Sequence, residues 1–281
     1  MRVKVFKDQN VYEALQDRLS FIFSEFDSIY IAFSGGKDSG TLLNLVLKYK
    51  HEHGIKKKIG LFHQDFEAQY EKTTEFVMHE FESSLDDVEP YWVCLPMASK
   101  TPLSNYELYW YPWDDEKEDV WVRPMPDYPY VINMDNNPFE FYKYKMPQED
   151  LYKQFDRWYG DTHGGKTICL IGMRSDESLS RYSAIINKKN DYKGKKWITK
   201  NFKDVWTASP LYDWTVQDIW TANGKFGFSY NKLYDLFYKA GLSVYQMRVA
   251  SPFNEWAMGS LNLYRILEPN TWAKLVNRVQ G

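Results

Sequence analysis

The sequence predicts an α/β protein with a parallel, twisted, Rossmann-like sheet that carries helices on both faces. The first observation is the apolar run 29–33, which reads as a buried strand and leads through a glycine turn into a helical pattern at 42–50. The second is that further strand-like runs at 59–63 and 168–172 also alternate with helical segments. Buried strands that alternate with helices are typical of a parallel sheet.

The other elements follow in chain order. Residues 8–26 carry apolar positions at helical spacing, so a helix precedes the first strand. Residues 89–95 read as a third strand, and 151–159 as a helix. Residues 96–147 hold many prolines and aromatics and few periodic segments, which indicates an insertion over the strand ends, a lid or an acceptor platform.

Helical patterns continue from residue 230 to the end of the sequence. We therefore divide the chain into a nucleotide-binding domain at 1–228, which includes the insertion, and a helical C-terminal extension at 229–281.

Composition restricts the class of protein. The 281 residues carry a net charge of −3 and a pI near 6.0, which argues against a generally basic coat for nucleic acid. There is neither an apolar run long enough for a membrane span nor a secretion signal, so we expect no membrane association. The two cysteines, Cys94 and Cys169, exclude a disulfide framework and favour a cytoplasmic location.

The glycine turn after the first strand has the composition of a phosphate cradle. It reads Ser34-Gly35-Gly36-Lys37-Asp38-Ser39. Gly35 and Gly36 can adopt positive φ and bring backbone N–H groups close to an anion, and the following helix adds its positive N-terminal end. Lys37 adds a mobile charge, while Ser34 and Ser39 add hydroxyl donors. The alternative is an ordinary strand-to-helix turn, in which glycine and serine are also common.

Two further stretches lie at strand ends that face this loop. Asp65 follows the second strand and would sit where ligands bind in open α/β sheets, although it could also cap a helix. Arg174, Glu177 and Arg181 follow the strand at 168–172. Arginines there can clamp phosphate or sulfate oxygens, with Glu177 holding one of them in position. A surface helix with salt bridges is the alternative.

A lysine-rich hairpin gives a second candidate binding surface. Lys193, Lys195, Lys196 and Trp197 lie in a segment of seven lysines and three aromatics, with Gly194 at the turn. Interleaved basic and stacking residues suit a nucleic-acid backbone and its bases. Lysines also protect exposed edge strands from aggregation, so both interpretations stay open.

Together the loop and the arginine motif resemble the phosphoadenosine phosphosulfate (PAPS) reductase family, whose members share an N-type ATP pyrophosphatase loop. The resemblance implies an adenine nucleotide alpha hydrolase-like fold. It also implies nucleotide contacts for three parts of this sequence: Ser34–Ser39, Asp65 and the pattern G-x-R-x-x-E-S-x-x-R at 172–181. The C-terminal part resembles the family members named immunoglobulin-binding regulator A, of which this chain would be a short or truncated form.

The resemblance implies a nucleotide-dependent enzyme. We expect ATP or PAPS in the loop, Mg²⁺ bridging the phosphates with help from Asp38, and Lys37 neutralising the leaving pyrophosphate. Arg174 and Arg181 would stabilise charge at the α-phosphate during AMP-forming activation. The acceptor could be a nucleic acid undergoing modification or sulfur transfer, and a ParB-like protein is an expected partner.

Three alternatives remain. PAPS reduction by the usual route is disfavoured because no cysteine follows Cys169, and the absence of closely spaced cysteines argues against an iron–sulfur cluster. A regulator could bind the nucleotide without turnover, and it would need the same loop. A nucleic-acid-binding module that uses the lysine hairpin would lose affinity steeply with added salt.

Overall fold

Eight strands form the central sheet of the computed structural model, which describes residues 8–104, 106–186, 191–253 and 261–279. In chain order these strands are β1 (Ser28–Ala32), β2 (Ile59–Gln64), β3 (Val88–Val93), β6 (Val131–Ile132), β8 (Thr167–Ile171), β9 (Asp191–Tyr192), β10 (Lys195–Phe202) and β11 (Val205–Ala208). Their spatial order is β6-β3-β2-β1-β8-β11-β10-β9.

The sheet is mostly parallel. All pairs from β6 to β11 are parallel, and only the hairpin formed by β9 and β10 adds antiparallel strands at one edge. β1 and β8 are adjacent, and the strands that follow each of them lie on opposite sides: β2, β3 and β6 beside β1, and β9, β10 and β11 beside β8. The strand order therefore reverses between β1 and β8. A reversal of this kind leaves a crevice beyond the carboxyl ends of the two strands, where open α/β sheets bind ligands.

Helices cover both faces of the sheet. They are α1 (Val11–Glu25), α2 (Lys37–Glu52), α3 (Glu71–Ser84), α4 (Gln148–His163), α5 (Leu179–Ile186) and α6 (Val216–Phe226). Ile29 and Ile31 belong to the core that α1, α2 and α3 cover, whereas Tyr30 belongs to the core under α4. Because successive strand residues point to opposite faces, burial of both faces explains the uninterrupted apolar run in β1.

The segment 96–147 has more structure than the sequence indicates. β4 (Met97–Lys100), β5 (Tyr109–Trp110) and β7 (Met146–Pro147) form a small second sheet, and β6 joins the central sheet beside β3. A short 3₁₀ helix spans Asp115–Val120. Trp110 and Trp113 are fully buried, so the segment contributes to the core as well as covering the strand ends.

The C-terminal segment is helical, with α7 (Leu233–Lys239), α8 (Leu261–Leu267) and α9 (Pro269–Arg278). Residues 254–260 and 280–281 of the predicted extension lie outside the described residues. A third core cluster joins these helices to the rest of the chain, and Tyr70 stacks on Tyr264 with ring centroids 3.6 Å apart. In the described part of the chain, no helix combines the length and apolar character that crossing a membrane requires.

Candidate functional site

The turn between β1 and α2 folds into the predicted glycine loop. Gly35 has φ +71°, and a Cβ there would lie 2.9 Å from Val77 Cγ2. Gly36 is the N-cap of α2 and has no side chain to occupy the free N–H groups of the first helical turn. The helix is 16 residues long, so its N-terminus offers unpaired donors and a positive dipole end to an anion.

Hydrogen bonds of Ser34 and Ser39 fix the conformation of the loop. Ser34 Oγ and Ser39 Oγ lie 3.0 Å apart, and the Ser34 N–H donates to Ser39 Oγ at 3.1 Å. The Ser39 hydroxyl donates to the Gly36 carbonyl at 3.1 Å. The loop is therefore preorganised by its own residues.

The end of β8 packs directly on the start of α2. A Cβ at Gly172 would lie 2.8 Å from the backbone carbon of Asp38 and 2.8 Å from the backbone nitrogen of Ser39. Only a glycine allows this approach without displacing the backbone. The contact brings the arginine motif to the loop, as the sequence predicts.

Arg174 and Lys37 form a buried cationic pair around Asp38. Arg174 Nε lies 2.5 Å from Asp38 Oδ1, and Lys37 Nζ lies 3.1 Å from Asp38 Oδ2. The Arg174 side chain is only 3% exposed, and its Nη1 has no hydrogen-bond acceptor among the described residues, with Asp176 Oδ2 3.6 Å away. A buried, unsatisfied guanidinium donor beside a phosphate-type loop is what an anionic ligand would satisfy.

Glu177 holds the two arginines of the motif together. It pairs with Arg181, and its Oε1 lies 3.7 Å from Arg174 Nη2. Burial and the neighbouring Asp38 raise the pKa of Glu177, although both arginines oppose this effect. The Arg181 side chain is 45% exposed, so this arginine lies at the rim of the site while Arg174 lies inside it.

The C-terminal segment also contacts the loop, which sequence reasoning missed. The Lys37 N–H donates to the Tyr234 hydroxyl at 3.0 Å, and Asn231 Nδ2 donates to the Gly35 carbonyl at 2.9 Å. No motif marks Asn231 or Tyr234, because each contact joins residues almost 200 positions apart.

A cavity of about 470 Å³ opens beside Ser34, between the sheet and α4. Its walls are mostly apolar, and they are formed by Tyr30, Ala32, Phe33, Ser34, Phe62, His63, Gln64, Phe66, Gln69, Tyr152, Phe155, Asp156, Cys169, Ile171, Thr207, Val249, Ala250 and Ser251. Volume and lining are those of a site for a small organic molecule. Ser34 belongs both to the loop and to the lining of the cavity, so the two features are adjacent.

Two residues that line this cavity carry a buried acceptor with no donor among the described residues, His63 Nε2 and Gln64 Oε1. Burial lowers the pKa of His63, so its imidazole is neutral near pH 7. His63 Nδ1 lies 2.8 Å from the Phe33 carbonyl oxygen, which can only accept, so the ring proton is on Nδ1 and Nε2 is an acceptor. His63 and Gln64 are consecutive in β2, so their side chains point to opposite faces, and Gln64 shares its face with Phe62, which packs on Phe155 of α4. Gln64 Oε1 is therefore the acceptor on the cavity side.

Asp65 lies at the end of β2 as predicted, but its carboxylate is used within the protein. It is fully buried and accepts hydrogen bonds from Arg123 Nη2 and from Trp92 Nε1, the latter at 2.8 Å. Burial opposes ionisation, yet Arg123 holds the pKa of Asp65 below its ordinary value. Asp65 does not line the cavity, so the structure gives it an architectural role and does not support direct nucleotide contact.

Asp38, which was predicted to help hold Mg²⁺, lies between two cationic side chains. Both of its carboxylate oxygens are already paired with cationic side chains. In the residues that the structure describes, no group of three or more His, Cys, Asp or Glu side chains could hold a metal ion. The predicted help of Asp38 in holding a phosphate-bound Mg²⁺ stays a prediction, and its carboxylate lies between Arg174 and Lys37.

The lysine hairpin requires a correction. Trp197 belongs to the main core and packs edge-on against Phe21 with centroids 6.3 Å apart, so its ring is not free to stack on a base. Lys193 Nζ lies 2.8 Å from Glu25 Oε1, and the Lys195 ammonium lies 4.3 Å from the ring centroid of Phe21. Lys196 is exposed. Two of the three predicted basic contacts therefore have partners on α1.

Neither cysteine offers a reactive thiolate. Cys94 and Cys169 are free and buried, and burial raises the pKa of both thiols well above the ordinary value. A thiol that stays protonated is a poor nucleophile.

Two protein-family models match parts of the chain. Residues 131–240 match the family model described as the phosphoadenosine phosphosulfate reductase domain, and residues 241–281 match a model described as a domain of unknown function, DUF3440. The first match covers less than half of the chain, so the chain contains a segment similar to the PAPS reductase domain. The mostly parallel sheet with helices on both faces confirms the predicted α/β fold, and the described residues of the C-terminal segment are helical as predicted.

A curated relative is the uncharacterized protein YbdN of Escherichia coli K12, which is 34% identical over 276 residues. The match covers 97% of this chain and 66% of the relative, so the chain spans about two thirds of the relative's length.

Similar solved structures include a PAPS reductase from Candida auris in a phosphate complex (14% identity, 83% of this chain and 93% of that chain, TM-score 0.42). An FMN adenylyltransferase from Candida glabrata in complex with FMN and an ATP analogue has 14% identity, coverage of 82% and 62%, and a TM-score of 0.45. The U34-tRNA thiolase NcsA from Methanococcus maripaludis, with its [4Fe-4S] cluster, has 11% identity, coverage of 96% and 79%, and a TM-score of 0.45. At these scores, nothing about this chain's activity follows from the likeness.

Proposed function

We propose that this protein binds ATP or PAPS, and that with ATP it catalyses AMP-forming activation of an acceptor with release of pyrophosphate. The observation that carries the proposal is the junction of the preorganised loop 34–39, the buried Arg174 with an unsatisfied Nη1, and a cavity large enough for a nucleoside. An anion-binding end and an apolar end joined in one site match the two halves of a nucleotide.

Adenine fits the cavity better than a base without an amino group. Its exocyclic N–H₂ group would donate to Gln64 Oε1, a buried acceptor that lacks a partner among the described residues. Hypoxanthine has a carbonyl oxygen at that position, which would face this acceptor without a donor. We therefore expect the site to prefer ATP to inosine triphosphate, because an unsatisfied buried polar group costs binding free energy.

The phosphate chain would lie along the loop toward Arg174. Donors at the N-terminus of α2 and the ammonium of Lys37 would hold the β- and γ-phosphates, and the Arg174 guanidinium would lie at the α-phosphate. An acceptor attacks the α-phosphorus, the bond to the bridging oxygen breaks, and pyrophosphate leaves with that electron pair. Lys37 and Arg174 stabilise the charge that develops, and their ion pairs with Asp38 fix their positions beforehand. Mg²⁺ would enter as the complex with ATP, held by phosphate oxygens.

Several finer expectations belong to this proposal. The acceptor class, nucleic acid included, a ParB-like partner, a cytoplasmic location and a closer relation to the immunoglobulin-binding regulator A group rest on the resemblance of the sequence. PAPS reduction by a thiolate of this chain is not proposed, because both of its cysteines are buried with raised pKa values.

The test uses ATP labelled at the α- or γ-phosphate, with Mg²⁺ and with or without DNA or tRNA. We expect labelled AMP or a labelled adenylated product from the α-label and labelled pyrophosphate from the γ-label, and loss of both with Lys37→Met. Lys58→Met, at an exposed lysine, is the matched control. Binding of ATP without any product would replace activation by nucleotide sensing. Salt-sensitive binding of nucleic acid that survives Lys37→Met, without ATP binding, would favour the nucleic-acid module.

A further inference from the structure

Tyr234 places a hydroxyl group in the phosphate-type loop from a distant part of the chain. The residue lies on α7, its side chain is 3% exposed, and its oxygen accepts the Lys37 N–H at 3.0 Å. Lys37 is the first residue of α2, so this N–H is one of the helix N-terminal donors that lack an intrahelical acceptor, and Tyr234 supplies its acceptor. The hydroxyl therefore stands at the position from which the loop would hold an anion.

The hydroxyl still has a proton to donate. A phenol that accepts one hydrogen bond keeps its own O–H donor, and the structure gives that donor no acceptor among the described residues. Burial, followed by the charge of Asp38, raises the pKa of Tyr234 above its ordinary value, so the group stays protonated near neutral pH. A neutral donor beside Lys37 and Arg174 adds to an anion site without adding charge.

The same segment also fixes the loop at two other points. Asn231 Nδ2 donates to both the Gly35 carbonyl and Thr73 Oγ1 at 2.9 Å. Lys37 Nζ lies 3.5 Å from the Met247 carbonyl oxygen and 5.5 Å from the ring centroid of Tyr234. Backbone and side chain of the loop are thus both held by residues 231–247, so this segment belongs to the site and is not a separate appendage.

We propose that Tyr234 is a phosphate-binding residue of the nucleotide site, whose O–H donates to a phosphate oxygen while its oxygen orients the Lys37 N–H. The inference rests on the proposed nucleotide binding and deepens it. It predicts that the affinity for phosphate groups, and not the affinity for the nucleoside, depends on this hydroxyl.

The test compares wild-type protein, Tyr234→Phe and Tyr238→Phe by calorimetry with ATP and with adenosine. Tyr238 lies on the same helix and is 73% exposed, so it is the matched control. We expect Tyr234→Phe to bind ATP roughly tenfold to a hundredfold more weakly, since a hydrogen bond to a charged group is lost. Adenosine affinity should stay equal to that of the wild type, and Tyr238→Phe should behave as the wild type with both ligands.

Each other result counts against the inference in its own way. Equal weakening for ATP and adenosine would mean that Tyr234 only supports the fold of the site. Unchanged or tighter ATP binding would also overturn the inference, and the tighter result would show that the hydroxyl competes with phosphate for the Lys37 N–H. Absence of ATP binding by the wild type would overturn the proposed function itself, together with this inference. Near-ultraviolet circular dichroism confirms that the variant, which lacks one oxygen, keeps its packing.

Discussion

Arg174 Nε lies 2.5 Å from Asp38 Oδ1, and this ion pair joins two sequence motifs that are 136 residues apart. The Arg174 side chain is almost fully buried and that of Asp38 is 14% exposed, so water screens the pair only weakly. The second oxygen of Asp38 faces Lys37. Asp38 therefore fixes two cations at the start of α2, and the predictions begin with it.

Asp38→Asn should abolish most of the proposed AMP formation. The amide keeps the shape of the side chain but removes the charge that orients Arg174 and Lys37. We expect the rate to fall by about 100-fold or more, the effect of losing one preorganised group in a charge-stabilising site. Asp86→Asn, at an exposed aspartate, should leave the rate unchanged. Release of labelled pyrophosphate measures both variants, and a fully active Asp38→Asn would show that Asp38 has no part in the chemistry.

Gly172→Ala should displace the loop. The new methyl group would lie 2.8 Å from backbone atoms of Asp38 and Ser39, which cannot move aside independently of α2. We expect a loss of about 1–3 kcal/mol in the free energy of unfolding, together with weaker ATP binding.

Gly224→Ala is the control for this substitution. It lies in α6, and a Cβ there meets nothing within 4 Å, so alanine should stabilise the helix by up to about 1 kcal/mol. Urea denaturation and calorimetry measure both variants. If the two substitutions changed the free energy of unfolding and ATP binding equally, the close approach of β8 to α2 would not be what makes Gly172 necessary.

Arg278→Met should destabilise the fold strongly. Arg278 Nε and Nη2 donate to the two oxygens of Glu67 at 2.8 and 2.9 Å, and both side chains are buried. Glu67 also accepts from the Trp113 N–H at 2.9 Å, so it ties α9 to the segment 96–147. Loss of one partner leaves a buried charge, which costs about 3–5 kcal/mol.

Two further variants test whether the lost ion pair causes the destabilisation by Arg278→Met. Arg265→Met, at an exposed arginine of α8, should change the free energy of unfolding by less than about 0.5 kcal/mol. Glu67→Gln combined with Arg278→Met should recover part of the stability, because no unpaired charge then remains. A double variant that is less stable than Arg278→Met would contradict the ion-pair explanation.

Glu80→Gln should change how stability depends on pH. Burial raises the pKa of Glu80 above 4.5, although Ser229 and Asn44 hydrogen-bond to it. The native state keeps this proton at a pH where the unfolded chain has lost it. The associated stability is complete below about pH 4.5 and is lost as pH rises through the folded-state pKa, with a slope of at most about 1.4 kcal/mol per pH unit.

Glu80→Gln lacks this titration, so its stability relative to the wild type should rise as pH increases above 4.5. Urea denaturation at several pH values measures the difference. For Glu149→Gln, at an exposed glutamate, the free energy of unfolding should depend on pH as it does for the wild type. If Glu80→Gln also showed the pH dependence of the wild type, the buried carboxyl of Glu80 would not be the cause of that dependence.

The sequence by itself was sufficient for the features that depend on neighbouring residues. Strand and helix periods predicted β1, β2, β8 and α1, and the glycines at 35 and 36 predicted the turn in which Gly35 has positive φ. The arginine motif could be placed beside the loop because parallel strands end at one edge of the sheet. These are local rules, and one short window of sequence contains all the information that they need.

Only the tertiary structure decided which side chains the site can use. Asp65 was predicted to border the nucleotide, but Arg123, which is 58 positions away, takes up its carboxylate. Trp197 was predicted to stack on bases, but it packs against Phe21 of α1. Tyr234 was not predicted at all, and it contacts the loop from 197 positions away. Charge pairing, ring packing and hydroxyl contacts between distant residues depend on how the elements pack, and local sequence patterns contain no record of that packing.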